Sequence, residues 1–129
     1  GKKSPFAGYY LNIEPGKSFM GGGIYMPEPK ILNSIRENID HSYDEFLSII
    51  NDKELKEYYG EVKPSGKLKR PPKGYDSDNP AIEHLKFKGY YTQKMLSDTD
   101  ISKDDFAHHL VGSYQKVKPL VDFINRAIN

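Results

Sequence analysis

The stretch FAGYYLNIEPGKSFMGGGIYM, residues 6–26, decides the fold. Phe6 to Glu14 alternates with the period of a strand that has two unlike faces. Ala7, Tyr9, Leu11 and Ile13 fall on one side, and Phe6, Gly8, Tyr10, Asn12 and Glu14 on the other. Pro15-Gly16 follows. Proline presets the first central position of a turn and glycine accepts the positive φ of the second, which is a type II turn signal. A second strand is expected from Ser18 to Met26, with Met20, Ile24 and Met26 on one face and Phe19 and Tyr25 on the other. The two runs read as an antiparallel hairpin.

Beyond the hairpin the period becomes helical. Ile31, Ile35 and Ile39, with Leu32 beside them, form one apolar stripe, and Pro29 suits a first helical turn. Ser42 and Glu45 have capping-box spacing ahead of Phe46, Leu47 and Ile50. A further short helix fits Asp52 to Tyr59, stopped by Gly60. Glu61 to Asp78 carries too many prolines and glycines for a regular helix, with short extended pieces expected near Glu61–Lys63 and Lys67–Lys69. A short helix then runs from Pro80 to Phe87, capped by Asp78 or Asn79 and facing Ile82 and Leu85 inward. Tyr90 to Leu96 reads as a third strand and Ser97 to Asp100 as a turn. Ser102 is expected to cap a long last helix with the stripe Phe106, Leu110, Tyr114, Val117, Val121, Ile124 and Ile128. Pro119 predicts a kink or break in it near Gln115–Lys116.

Strands and helices do not alternate regularly, so the class is α+β: a small, mainly antiparallel sheet packed against helices. Its parts are the N-terminal hairpin, a later strand and a long C-terminal helix. The 129 residues favour one domain, residues 1–129. Three strands are few for a stable sheet, so a strand from upstream or from a partner chain is expected to complete it.

Lys+Arg number 19 against Asp+Glu 18, and the formal charge is +1. That excludes a globally basic nucleic-acid binder but not a local patch. The chain has no cysteine, which removes disulfides, thiolate nucleophiles and Cys-based metal sites. A mean hydropathy of −0.73 with 12% aromatics describes a soluble globular chain. No run is long enough to span a bilayer and no signal peptide is visible, so the default location is cytoplasmic and no membrane partner is expected.

Three strings are distinctive: FAGYYLNIEPGKSFMGGGIYMPEP, LKRPPKGYDSDNPAIEHLKFK and the closing KPLVDFINRAIN. Through them the chain resembles, nearly end to end, the microbial family Domain of Unknown Function 2461. The resemblance implies no established activity. It implies a further, mainly helical N-terminal region, ending in a segment rich in Arg, Lys and Tyr that leads into a strand just before Gly1. On that reading this chain is the C-terminal part of a longer protein, and a site built from both parts is incomplete here. An absent upstream strand would leave an open edge beside Phe6–Glu14, favouring self-association or non-covalent pairing with the missing region.

Five groups of residues are candidates for chemistry. Lys63, Lys67, Lys69, Arg70 and Lys73 crowd into the irregular segment, stiffened by Pro71 and Pro72 and followed by Gly74 and Tyr75. A guanidinium beside lysines on a stiff loop suits phosphate or carboxylate, and Tyr75 can stack on a ring. The plainer alternative is a solvated loop with Arg70 paired to a nearby acid. Gly21, Gly22 and Gly23 are costly inside a strand, so they mark either a flat floor for a ligand or close packing of a helix or bulge. His84 beside Glu83 could form an acid–base centre with Arg70 and Lys73 as a clamp. His41, His108 and His109 have no metal spacing, and the acids Asp98, Asp100, Asp104 and Asp105 fit a helix dipole better than a calcium loop. Tyr9, Tyr10, Tyr25, Tyr90 and Tyr91 could line an aromatic wall for a sugar, a base or a protein, or simply fill a half-buried sheet. No cofactor or metal motif is present.

These observations favour a binding or interaction domain for an anionic ligand: a phosphate, a nucleotide, a nucleic-acid backbone or an acidic peptide. The expected site residues are Lys69, Arg70, Lys73 and Tyr75, with Gly21, Gly22 and Gly23 beside them. Two alternatives are an enzyme using Glu83 or His84, and a structural module that associates through an open strand edge.

Overall fold

The hairpin forms as its alternation requires. In the computed structural model, which describes residues 5–128, β1 (Gly8–Asn12) pairs antiparallel with β2 (Ser18–Ile24). The register runs from Gly8 opposite Gly23 to Asn12 opposite Phe19. Gly16 takes the positive φ of the turn, at 74°, and Lys17 N–H closes it on the Glu14 carbonyl at 2.8 Å. On its other edge β2 pairs antiparallel with β3 (Tyr90–Tyr91) and β4 (Lys94–Leu96). Residues 1–4 and 129, which the single-domain assignment also takes in, lie outside the described residues.

β3 and β4 are the one expected strand, Tyr90 to Leu96, interrupted without a change of register. Gly23 faces Tyr91 and Met20 faces Lys94. Between them Thr92 N–H still donates to the Gly22 carbonyl at 2.9 Å. The return bond is altered: Gly22 N–H donates to the Thr92 hydroxyl at 3.0 Å instead of to its carbonyl. The freed carbonyl accepts the Tyr10 hydroxyl, which crosses over Gly21 to reach it.

Among the described residues six helices follow the sequence order: α1 (Pro29–His41), α2 (Tyr43–Ile50), α3 (Lys53–Tyr59), α4 (Ile82–Leu85), α5 (Asp98–Ser102) and α6 (Phe106–Ile128). Pro29 opens α1, and Leu32, Ile35 and Ile39 are buried as their spacing dictates. The Asp52 side chain caps α3, accepting from Leu55 N–H. The irregular segment touches the sheet at Lys63, bridged to Tyr91, and pairs at Lys67 with Phe87.

Four local expectations are corrected. Ser42 precedes α2 but its side chain makes no cap, and the Glu45 carboxylate instead grips Arg126 of α6 with bonds of 3.0 and 2.7 Å. Ser97–Asp100 is not a plain turn, because Ser97 caps α5 in a full capping box with Asp100. Ser102 therefore ends α5, and α6 starts only at Phe106. Pro119 does not break α6, which is one helix through Ile128. Proline removes a single ladder bond, and here it sits on the exposed side while Val117, Leu120, Val121 and Ile124 hold the buried side.

α6 lies across β2. A Cβ on Gly22 would stand 2.8 Å from Val117 Cγ1 and 3.3 Å from Val121 Cγ2. Met20 and Ile24 flank Gly22 on the same buried face, and one cluster of buried residues runs from Ala7 to Ile124. β1 is an edge strand. Its apolar side, Tyr9 and Leu11, stays exposed with Ile13 just beyond it because α6 sits under β2, although Tyr9 reaches Tyr114 at 5.0 Å. Part of the outer edge is closed by side chains: Asn125 bonds both the N–H and the carbonyl of Ala7, and the Tyr114 hydroxyl bonds the Tyr10 carbonyl. No helix among the described residues is long and apolar enough to cross a membrane.

Two alanine substitutions test this account of the sheet. Gly21→Ala puts a Cβ onto the Thr92 carbonyl and Tyr10 hydroxyl, and should lower stability by at least about 2 kcal/mol. Gly8→Ala meets nothing within 4 Å and should leave stability unchanged or raise it by up to about 1 kcal/mol. Urea unfolding of the two variants decides it.

Candidate functional site

The basic segment is brought against α1. Leu68 N–H bonds the Lys86 carbonyl and Lys88 N–H bonds the Gly66 carbonyl, so the chain leaves this pairing toward α1. Pro72 is buried, and Tyr75 N–H turns back to the Pro72 carbonyl at 3.2 Å. Asn79 ties the far end to Asp40 of α1 at 2.8 Å.

Two cavities open along this seam. One, about 500 Å³, lies between the start of α1 and Lys88. The other, about 360 Å³, lies under Pro72, Lys73 and Tyr75. Both are lined by Asn33, Arg36 and Leu68, so they meet there as two lobes of one cleft. Met26, at φ 47°, stands at the mouth of the larger lobe. Such a conformation is uncommon for a residue with a side chain and is held by its surroundings.

Arg36 is the unusual residue of the cleft. It is only 6% exposed, yet it makes no ion pair among the described residues. One terminal nitrogen donates to the Phe87 carbonyl at 3.0 Å, while the buried Nε has no partner among the described residues. Burial lowers its pKa, and the neighbouring Tyr90 and Tyr75 hydroxyls oppose that shift. Arginine remains charged in any such setting. Tyr90 passes the contact on, donating to the His84 carbonyl at 2.6 Å. Tyr75 is pushed up by burial and then by Asp40 and Glu37, so it stays a neutral donor at the cleft wall. Glu28 and Glu37 stand on the rim beside Lys88 and Lys73.

Lys73 and Tyr75, two of the expected loop residues, therefore reach the cleft. Lys69 and Arg70 are exposed and line neither lobe, and Arg70 is in no ion pair among the described residues. Lys67 is occupied by Glu83 at 3.0 Å and lies over the Phe87 ring. Glu83 also pairs with Lys86 at 3.2 Å, and the two lysines hold its carboxyl below the usual range. His84 is half-buried against Phe46 and Phe87, with Nδ1 2.8 Å from the Tyr43 hydroxyl. Neither Glu83 nor His84 lines the cleft that holds Lys73. Gly21, Gly22 and Gly23 sit in the sheet away from it, where Gly21 and Gly22 admit Tyr10 and α6. No group of three or more His, Asp or Glu side chains suited to a metal occurs among the described residues.

Sequence reading passed over Arg36. A signal was there: it stands four residues after Leu32 and beside Ile35, a charge inside an apolar stripe.

The chain matches the family model described as "Conserved hypothetical protein (DUF2461)" over residues 1–123. It belongs to the DUF2461 family. No curated protein and no solved structure matches it. Membership in DUF2461 assigns no reaction to the chain.

The His84 contact gives a pH test. Burial, then Lys67, holds its folded-state pKa below the usual 6.5. The unfolded chain then binds the proton more tightly, so stability falls as pH drops through about 6.5 and levels off once the folded imidazole is also protonated. Urea midpoints at about pH 7.5 and 5.5 should differ more in the wild type than in His84→Gln.

Proposed function

We propose that this DUF2461 chain is a binding domain for a small anionic ligand, held in the cleft between α1 and the basic loop. One observation carries the reading: Arg36 is a buried guanidinium without a carboxylate partner among the described residues, at the junction of the two lobes. A buried charge is costly unless something pairs with it. A phosphate or carboxylate entering the cleft would supply that partner, with Lys73 or Lys88 and the Tyr75 hydroxyl as further donors. The rim acids Glu28 and Glu37 disfavour a long polyanion and favour a compact anionic group on a molecule that brings donors of its own.

The enzyme reading has less support, because Glu83 is engaged by two lysines and His84 by Tyr43, both away from Lys73. Association through the strand edge keeps one observation in its favour, the exposure of Leu11 on β1 and of Ile13 just beyond it. Salt separates it from the leading reading: ion-paired binding weakens as salt rises, whereas apolar edge pairing does not.

Thermal shift with inorganic phosphate and small di- and tricarboxylates tests the proposal. A ligand at about a hundred times its Kd adds roughly 2.7 kcal/mol, a rise of several degrees. Arg36→Met should fold with a midpoint close to the wild type, because it removes a buried unpaired charge, and should lose the ligand-induced rise. An unchanged rise in Arg36→Met, or no rise with any of these anions, would sink the reading.

A further inference from the structure

The sheet face turned away from α6 is a second surface with its own chemistry. Alternation places Tyr10, Phe19, Tyr25, Tyr91 and Gln93 there, around a cavity of about 360 Å³. The rings are held, not merely exposed. The Tyr10 hydroxyl is bound to the Thr92 carbonyl. Tyr10 meets Phe19 edge-on at 6.2 Å, and Tyr25 meets Tyr91 edge-on at 5.2 Å. Gly8 lies open between them, with nothing near the place of a Cβ. Tyr25 is 60% exposed.

We infer that this face binds single-stranded nucleic acid, stacking successive bases on Tyr25, Tyr91 and Phe19. Three observations select that occupant. Phe19 and Tyr25 stand six residues apart along one chain, about 20 Å, which is longer than any one base or sugar ring covers. Lys63, bridged antiparallel to Tyr91, shares its face and is in no ion pair among the described residues, so a cation for the backbone lies beside a stacking ring. None of the residues that pair across this face is acidic. Gln93 adds an amide whose one bond among the described residues is a weak 3.7 Å contact to the Met95 sulfur, which a base edge can displace. Aromatic rings with a flanking cation suffice for sequence-tolerant binding of a strand. The inference uses none of the residues of the Arg36 cleft and stands whether or not that cleft takes an anion.

The test uses the whole chain and a fluorescent poly-thymidylate strand of about ten nucleotides, at about 50 mM salt. Anisotropy should give a Kd within about 10⁻⁴–10⁻⁶ M. Amide NMR shifts should fall on Gly21 to Tyr25 and on Tyr91 to Gln93. Tyr25→Ala and Tyr91→Ala should each weaken binding about fivefold or more, and Tyr25→Phe should keep it. Circular dichroism of each variant confirms the fold, and Tyr25, being exposed, provides the variant least able to disturb it. Lys63→Ala should flatten the salt dependence. The inference is overturned by no binding at low salt, by wild-type affinity in both alanine variants, or by equal affinity for duplex. Shifts confined to Asn33, Arg36 and the Leu68–Tyr75 loop would overturn it too.

Discussion

The approach of α6 to the central strand at Gly22 is the constraint on which the rest of the structure depends. Val117 and Val121 reach the strand backbone only because no Cβ stands between them. That contact sets the height of α6 over the sheet, and so the depth at which Phe123 meets Asn38 of α1 and Phe46 of α2. Glu45 and Arg126 then clip α2 to the end of α6. The entropy that glycine loses in a strand is offset here by close packing that a larger residue would forbid.

Gly21 serves a different purpose on the opposite face. Its missing side chain leaves room for the Tyr10 hydroxyl to reach across β2 to Thr92. Thr92 in turn lends its own hydroxyl to the ladder, where it accepts the Gly22 N–H. Burial holds the Tyr10 hydroxyl well above the usual phenol range, which keeps it protonated and able to donate. The interruption in the third strand is thus a cross-strand tie, and it fixes the ring at the centre of the open aromatic face.

Charge is distributed with similar economy. Most ion pairs among the described residues are exposed and contribute little to stability. Arg36 is the contrast, a guanidinium beside Phe87, Tyr90 and Tyr75 that no acid among the described residues pairs with. The irregular segment walls it in: its prolines carry the chain past α1, and the Gly66–Lys88 and Leu68–Lys86 bonds hold it there. The basic run that drew attention in the sequence thus matters less as a row of charges than as the wall of a cleft whose floor is an arginine from elsewhere.

The fold was largely legible in the sequence because it rests on local periodicity. Alternation in Phe6–Glu14 and around Met20, and the 3.6 spacing from Ile31 to Ile39 and from Phe106 to Ile128, each act over a few residues. These periodicities therefore survive without tertiary context, whereas the Asp52 cap was seen only in the structure. Where two local choices competed, packing decided. Glu45 left its capping position for Arg126, and Ser97 rather than Ser102 found the acid for a capping box. The site was legible only in part. Lys73 and Tyr75 were visible as a basic, aromatic loop, and Tyr10, Tyr25 and Tyr91 as candidate wall residues. Arg36 was hidden inside a helical stripe, and the sorting of Tyr9 and Tyr90 away from that wall depended on which face α6 covered. By itself, then, the sequence determined the elements and their class, because hydrogen-bond ladders and apolar periods are short-range. Only the tertiary structure decided which side of the sheet is covered and which charge is left unpaired, because both depend on chain segments far apart in sequence meeting in space.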